Sequence, residues 1–159
     1  MRIRKLRGGK RYYARMRDEA ARFSVGVTPD HWYDLWHMHF DRRGYGLRRP
    51  RVRAQHLTAL FAAFRRAVAT AEQSACPVQV FVSIAPPREA GQDALYVHSP
   101  NPNGTPFPHP FTGAVWGVPP PALLRPFIDT TSDELGALDD ESGRWWVVRP
   151  RVPRITTRE

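Results

Sequence analysis

The chain has 159 residues, of which 42% are hydrophobic, and this is enough for one globular domain with its own core. A single cysteine, Cys76, excludes an internal disulfide, and no stretch approaches the roughly 20 apolar residues of a membrane span. The charged N-terminus is not followed by the apolar run of a secretory signal. We therefore expect a cytoplasmic protein that does not enter a membrane.

The net charge of +9 is concentrated at the N-terminus. Residues 1–17 hold eight lysines and arginines and no acid, whereas the rest of the chain is nearly neutral, with 16 basic and 15 acidic residues. We expect a basic N-terminal arm at residues 1–17 and a single α+β domain at residues 18–159. The arm is typical of a solvated tail, and residues 2–17 also suit nucleic acid, because clustered cations dock on phosphates.

The next predicted elements are two strands. Alternating β-prone residues predict one strand at residues 23–27, and the turn chemistry of residues 28–30 ends it. Residues 32–41, WYDLWHMHFD, are rich in aromatic side chains and also favour a strand. Because side chains alternate along a strand, one face should meet the core with Trp32, Asp34, Trp36, Met38 and Phe40. The other face carries Tyr33, Leu35, His37, His39 and Asp41.

The second face of this strand is the candidate site. Two imidazoles and a carboxylate, from His37, His39 and Asp41, suit a divalent metal such as zinc or non-haem iron. Further donors are available elsewhere, namely His56, Asp93, His98 and His109. Without a metal, these histidines and Tyr33 suit general acid–base catalysis. Alternatively, the histidines hydrogen-bond loop backbone and fix the strand. The cofactor is otherwise unknown.

A long amphipathic helix follows at about residues 50–74. Apolar residues recur there at three- and four-residue steps: Leu57, Leu60, Phe61, Phe64, Val68 and Ala71. Pro50 suits a first helical turn, and Pro77 prevents continuation. Residues 42–53, which lead into the helix, hold six arginines and no acid. We expect a solvated loop for most of this basic block.

Residues 78–84 and 94–98 predict two strands of a hairpin. The segment 99–110 is rich in proline and asparagine, and a loop of this length is often functional, although a rigid proline loop is the alternative. Its Asn101 and Asn103 can bond peptide groups. If Tyr96 and His98 share a face, they meet His37 and His39 across the sheet.

Two short strands, at residues 114–118 and 145–148, and one helical turn within residues 119–127 complete the predicted elements. Residues 129–141 hold six acids and no base, for which we expect a second solvated loop; the alternative is that the charged blocks are neutralised in the fold. Together the elements predict an α+β fold. Its mostly antiparallel sheet has about five strands, with the long amphipathic helix packed on one face.

Three strings, WYDLWHMHFDRRGYG, QHLTALFAAF and ALYVHSPNPN, carry a resemblance to small bacterial proteins. Some of these are similar to immunity proteins encoded beside secreted polymorphic toxins. The resemblance covers residues 23–118 and implies a cytoplasmic protein that binds and occludes a cognate toxin, with no catalytic residues to carry over. The basic arm departs from immunity proteins against nucleases, which are usually acidic, and better suits an acidic toxin surface.

Protein binding is therefore the leading functional hypothesis. Aromatic residues and arginines anchor interfaces, and the predicted binding residues are Trp36, Arg42, Arg43, Tyr45, Arg48, Arg49, His98, Asn101 and Asn103. The alternative is a small enzyme whose His-x-His-x-Asp site, with or without a metal, uses His37, His39, Asp41 and Tyr33. A nucleic-acid-binding protein acting through the basic arm is the third hypothesis. The sequence does not predict an oligomeric state.

Overall fold

A computed structural model describes residues 34–40, 50–73, 78–86, 93–98 and 111–151, together with the single positions 11, 14, 15 and 18, which are helical. The predicted strand at 23–27 and most of the basic arm lie outside the described residues. The same holds for residues 41–49 and 99–110.

The described chain folds as an antiparallel sheet with a helix packed on one face, which confirms the predicted α+β class. The sheet has six strands rather than about five, in the order β1-β3-β2-β6-β5-β4. In chain order the elements are β1 (Asp34–Phe40), α1 (Pro50–Glu72), β2 (Gln79–Ile84), β3 (Asp93–His98), β4 (Val115–Trp116), β5 (Asp133–Asp140) and β6 (Gly143–Pro150).

Helix α1 forms where the apolar periodicity predicts it, and its stripe makes the main core. The side chains of Leu57, Leu60 and Phe64 are completely buried. They belong to one cluster with apolar residues of β2 and β3, such as Val82 and Leu95. We call the sheet face that contacts α1 the inner face and the opposite one the outer face. Among the described helical residues, no segment has the length and apolarity that crossing a lipid bilayer requires.

The outer face carries a second, smaller core. Phe81 and Val147 are buried there against Phe111, a residue of the segment that precedes β4. The rings of Phe81 and Tyr96 lie 5.8 and 5.4 Å from that of Phe111. This cluster covers one part of the outer face, and Trp116 of β4 lies partly buried at its border. Beyond it the face is more open, because Arg149 and Glu134 keep part of their exposure.

Strand β5 was not predicted, because the acidic block at residues 129–141 suggested a solvated loop. Its carboxylates find arginines elsewhere in the fold, in the pairs Asp133–Arg65, Glu134–Arg149 and Asp139–Arg144. Leu135 and Ala137 of the same strand are buried. The expectation of a loop is therefore wrong, because a strand with few apolar residues is stabilised by pairing on both sides and by arginines of α1 and β6.

Candidate functional site

Strand β1 lies at one edge of the described sheet and pairs with β3. His37 is the register partner of Tyr96, and Trp36 is the partner of Val97. Residues directly opposite one another in an antiparallel pair share a face. The register therefore places His37, and likewise His39, on the outer face with Tyr96, and Trp36 on the inner face. This division agrees with the alternation expected from the sequence.

Asp34 departs from that alternation. The register shifts between Asp34 and Trp36, so that Asp34 becomes the partner of His98. The register therefore departs here from the uninterrupted alternation expected from the sequence, and Asp34 takes the register position opposite His98.

Most of the other predicted site residues lie outside the described residues. These are Tyr33, Asp41, Arg42, Arg43, Tyr45, Arg48, Arg49, Asn101, Asn103 and His109. The register makes Tyr96 the partner of His37, whereas Ala94 stands opposite His39, and the side chains of the β1 histidines and of His98 lie outside those described. The described side chains hold no group of three or more potential metal ligands.

His56 and Asp93, named above as further metal donors, form a buried pair instead. His56 Nε2 lies 2.6 Å from Asp93 Oδ2, and both side chains are completely buried. The backbone N–H of Ala85 donates to Asp93 Oδ1 at 2.9 Å. The pair ties α1 to the facing ends of β2 and β3 at the inner face. It therefore acts as a structural link between the helix and the sheet.

An aromatic–arginine group occupies the open part of the outer face. The Arg149 guanidinium lies 3.8 Å from the ring centroid of Trp116. Nε and Nη2 of Arg149 both donate to Glu134 Oε2, at 2.9 and 2.7 Å. The side chains of Arg149 and Glu134 keep 32% and 24% of their exposure. We call Trp116, Glu134, Gly136 and Arg149 the Trp116 platform; its charged side chains are held in place by their ion pair and are partly exposed.

Gly136 allows the Trp116 ring to lie against β5. A Cβ atom at position 136 would stand only 2.8 Å from Trp116 Cε3, which real Cβ atoms do not tolerate. Val115, next to the ring in the chain, is 65% exposed. Sequence reasoning missed this group because its members are distant in sequence and meet only through the pairing of β4, β5 and β6. Its only sequence signal is Trp116 within the short strand predicted at residues 114–118.

The pKa values of two described carboxyl groups, Asp129 and Asp139, are lowered, and this favours structural roles for both. Hydrogen bonds from the Thr131 hydroxyl and backbone hold the pKa of Asp129 at about 2, below its usual 3.8. The hydrogen bonds that Arg144 donates to Asp139 lower the pKa of that carboxyl group. Both groups are therefore stabilised in the charged form, which is the opposite of what a general acid needs near neutral pH.

No protein-family model, curated protein or solved structure matches the chain. The functional argument therefore rests on the geometry of the molecule. Of the arrangements with described side chains, the His56–Asp93 pair is completely buried, whereas the Trp116 platform is partly exposed.

Proposed function

We propose that the chain is a small protein-binding protein of the immunity type, which occludes a partner toxin in the bacterial cytoplasm. We further propose that the Trp116 platform is the centre of its docking surface. The observation that supports this most directly is the stacking of Arg149 at 3.8 Å over the partly exposed Trp116 ring. Tryptophan and arginine are among the residues most enriched at the energetic centres of protein interfaces.

The platform is ordered before any partner arrives. The Trp116 ring rests over Gly136, and Glu134 fixes the Arg149 guanidinium through two hydrogen bonds. Binding through residues that are already held loses less side-chain entropy than binding through mobile ones. Such order favours tight association over a transient contact.

The charge of the chain indicates the chemistry of the partner. The net charge is +9, and electrostatic steering then favours an acidic partner surface. Among the described residues no acceptor pairs with Nη1 of Arg149, which leaves this donor for a carboxylate or carbonyl of the partner. An acidic toxin surface satisfies both requirements.

The test is co-expression with the product of the neighbouring gene. We expect a stable complex that survives purification, with its Kd measured by calorimetry. Trp116→Ala and Arg149→Ala should each weaken the complex by about 2 kcal/mol, or roughly 30-fold, because each removes a central contact.

Arg144→Ala is the matched control. Arg144 also pairs with a carboxylate, that of Asp139, and lies 5.8 Å from the ring of Trp146. Alternation along β6 puts it on the other side of the sheet, so its removal should leave the affinity unchanged. The proposal fails if the neighbouring gene product does not bind, or if Arg144→Ala weakens the complex as much as Arg149→Ala.

A further inference from the structure

We propose that the partner docks on both sides of the β4 edge, and that the proline segment, residues 118–126, forms the second half of the docking surface. This assignment rests on the proposed function and extends its docking surface to the exposed side chains of Leu123 and Arg125. It commits to one occupant, a protein partner whose contacting surface is acidic.

The proline segment is held firmly against the inner face. Leu124 is completely buried in the main core. Phe127, directly after the segment, stacks on Phe61 of α1 with ring centroids 5.4 Å apart. The backbone N–H groups of Leu124 and Arg125 donate to the Pro121 carbonyl at 2.9 and 3.0 Å. Because the segment is already fixed, little conformational entropy is lost when a partner binds to it.

Apolar side chains are exposed beside this edge of the sheet. Leu123 of the proline segment is 47% exposed, and Val115 of β4 is 65% exposed. They are the exposed large hydrophobic residues of the described part of the chain. Apolar exposure that is concentrated in one place marks an interaction surface.

Strand β4 connects the two halves of the surface. Trp116 lies over Gly136 on the outer face, and alternation puts Val115 on the opposite side. The register partner of Val115 is Ala137, and Ala137 pairs in turn with Trp146, which packs against the main core. The Trp116 platform and the proline segment therefore border the same edge from opposite faces.

The β4 edge suits side-chain contacts better than an added strand. The strand has two residues, and Gly113 and Gly117, with φ angles of 96° and 80°, stand on either side of it. Residues 119–121 are three prolines and provide no N–H groups. Short edge strands and prolines both oppose edge-to-edge pairing. A second copy of the chain therefore finds little backbone to pair with here.

Charge favours an acidic partner over a second copy. Residues 112–128 hold one charged side chain, that of Arg125, although 25% of the whole chain is charged. Arg125 is exposed and has no ion-pair partner within the described part of the chain. Interface centres are depleted of charged residues other than arginine. Two copies of a chain with a net charge of +9 repel each other, whereas an acidic surface is attracted.

The experiment titrates the full chain with the purified product of the neighbouring gene by calorimetry. Leu123→Ser should raise the Kd ~5-fold or more, because it removes an apolar contact. Arg125→Glu should raise the Kd ~10-fold or more, because it reverses a charge that faces an acidic surface, and this effect should shrink at high salt. Both side chains are exposed, so circular dichroism should show folded variants.

Arg66→Glu is the matched control, since Arg66 is an exposed arginine of α1. Its Kd should stay within about twofold of wild type if the contact is local. The double variant Leu123→Ser/Arg149→Ala should multiply the two single effects, because the two side chains lie on opposite faces.

The outcomes separate this proposal from the proposed function. If Trp116→Ala weakens the complex while Leu123→Ser and Arg125→Glu leave it unchanged, the second half of the surface is overturned and the docking function stands. If the wild-type chain does not bind the gene product, both fail. Equal weakening by Arg66→Glu and Arg125→Glu also overturns the proposal, as does a dimer of the chain that Leu123→Ser converts to a monomer.

Discussion

At the residue scale, the His56–Asp93 pair shows how two polar side chains are accommodated in an apolar core. The carboxyl group accepts hydrogen bonds from the imidazole and from the backbone of Ala85, so desolvation of its oxygens is compensated. The link joins α1 to the ends of two central strands. Burying the pair costs desolvation free energy, and in return its hydrogen bonds fix the position of the helix on the sheet.

Substitutions in the buried His56–Asp93 pair should change the free energy of unfolding strongly and non-additively. His56→Leu should lower the free energy of unfolding by about 3 kcal/mol, because Asp93 stays buried without its imidazole partner. The double variant His56→Leu/Asp93→Leu should lose less than the sum of the two single variants. Urea unfolding measures all four free energies, and strict additivity would contradict the structural role of the pair.

The lowered pKa of Asp129 predicts how the stability of the fold depends on pH in acid. Because its folded-state pKa is about 2 and its ordinary value is 3.8, its contribution to stability is present above pH 3.8 and is lost as the pH falls towards 2. Thr131→Val removes the hydroxyl donor that lies 2.7 Å from Asp129 Oδ1. The variant should raise the pKa of Asp129 towards 3.8, as followed by carboxyl NMR titration. An unchanged pKa would contradict this assignment of the cause.

At the element scale, the sequence predicts α1 well and β5 not at all. The stripe of Leu57 and Phe64 in α1 is a local pattern, and burial of that stripe follows from it. Strand β5 shows little of the alternation of a half-buried strand, because Asp133 occupies a buried position. The Asp133 carboxylate is compensated by Arg65 of the helix and by the backbone N–H of Asp129. The contact with Arg65 spans 68 residues and leaves no local signal in the sequence.

The contact between α1 and β5 is open to a direct test. Nη1 and Nη2 of Arg65 donate to the two oxygens of Asp133, whose side chain is 1% exposed, and Nη2 also donates to the Phe127 carbonyl. Arg65→Ala should lower the free energy of unfolding by about 3 kcal/mol, because it leaves a buried carboxylate without its cation.

Arg144→Ala serves as the comparison in the same unfolding experiment. Its ion pair with Asp139 is exposed on both sides, so its loss should be far smaller than that of Arg65→Ala. Equal losses in the two variants would show that Asp133 is compensated by groups other than Arg65.

Strand β1 illustrates the limit of sequence reasoning about the site. The alternation that separates His37 and His39 from Trp36 can be derived from period two alone, and the register agrees with it. The register shift between Asp34 and Trp36 cannot be derived in this way, because it depends on how β1 pairs with β3. The same holds for the Trp116 platform, whose members come from three strands.

At the scale of the whole molecule, the two faces of the sheet carry different sets of residues. The inner face and α1 form the main core, which includes the His56–Asp93 pair. The outer face carries the smaller core around Phe111, the Trp116 platform near one edge and the histidines of β1 at the other edge. The main core therefore lies on one face, and the Trp116 platform borders only the smaller cluster on the other face.

The most direct test of the central claim is hydrogen–deuterium exchange of the chain with and without the product of the neighbouring gene. We predict that the partner slows exchange in β4 and β6, around Trp116 and Arg149, and leaves the exposed turns of α1 unchanged. Protection confined to α1 or to the basic arm, with none in β4 and β6, would contradict the proposed docking surface.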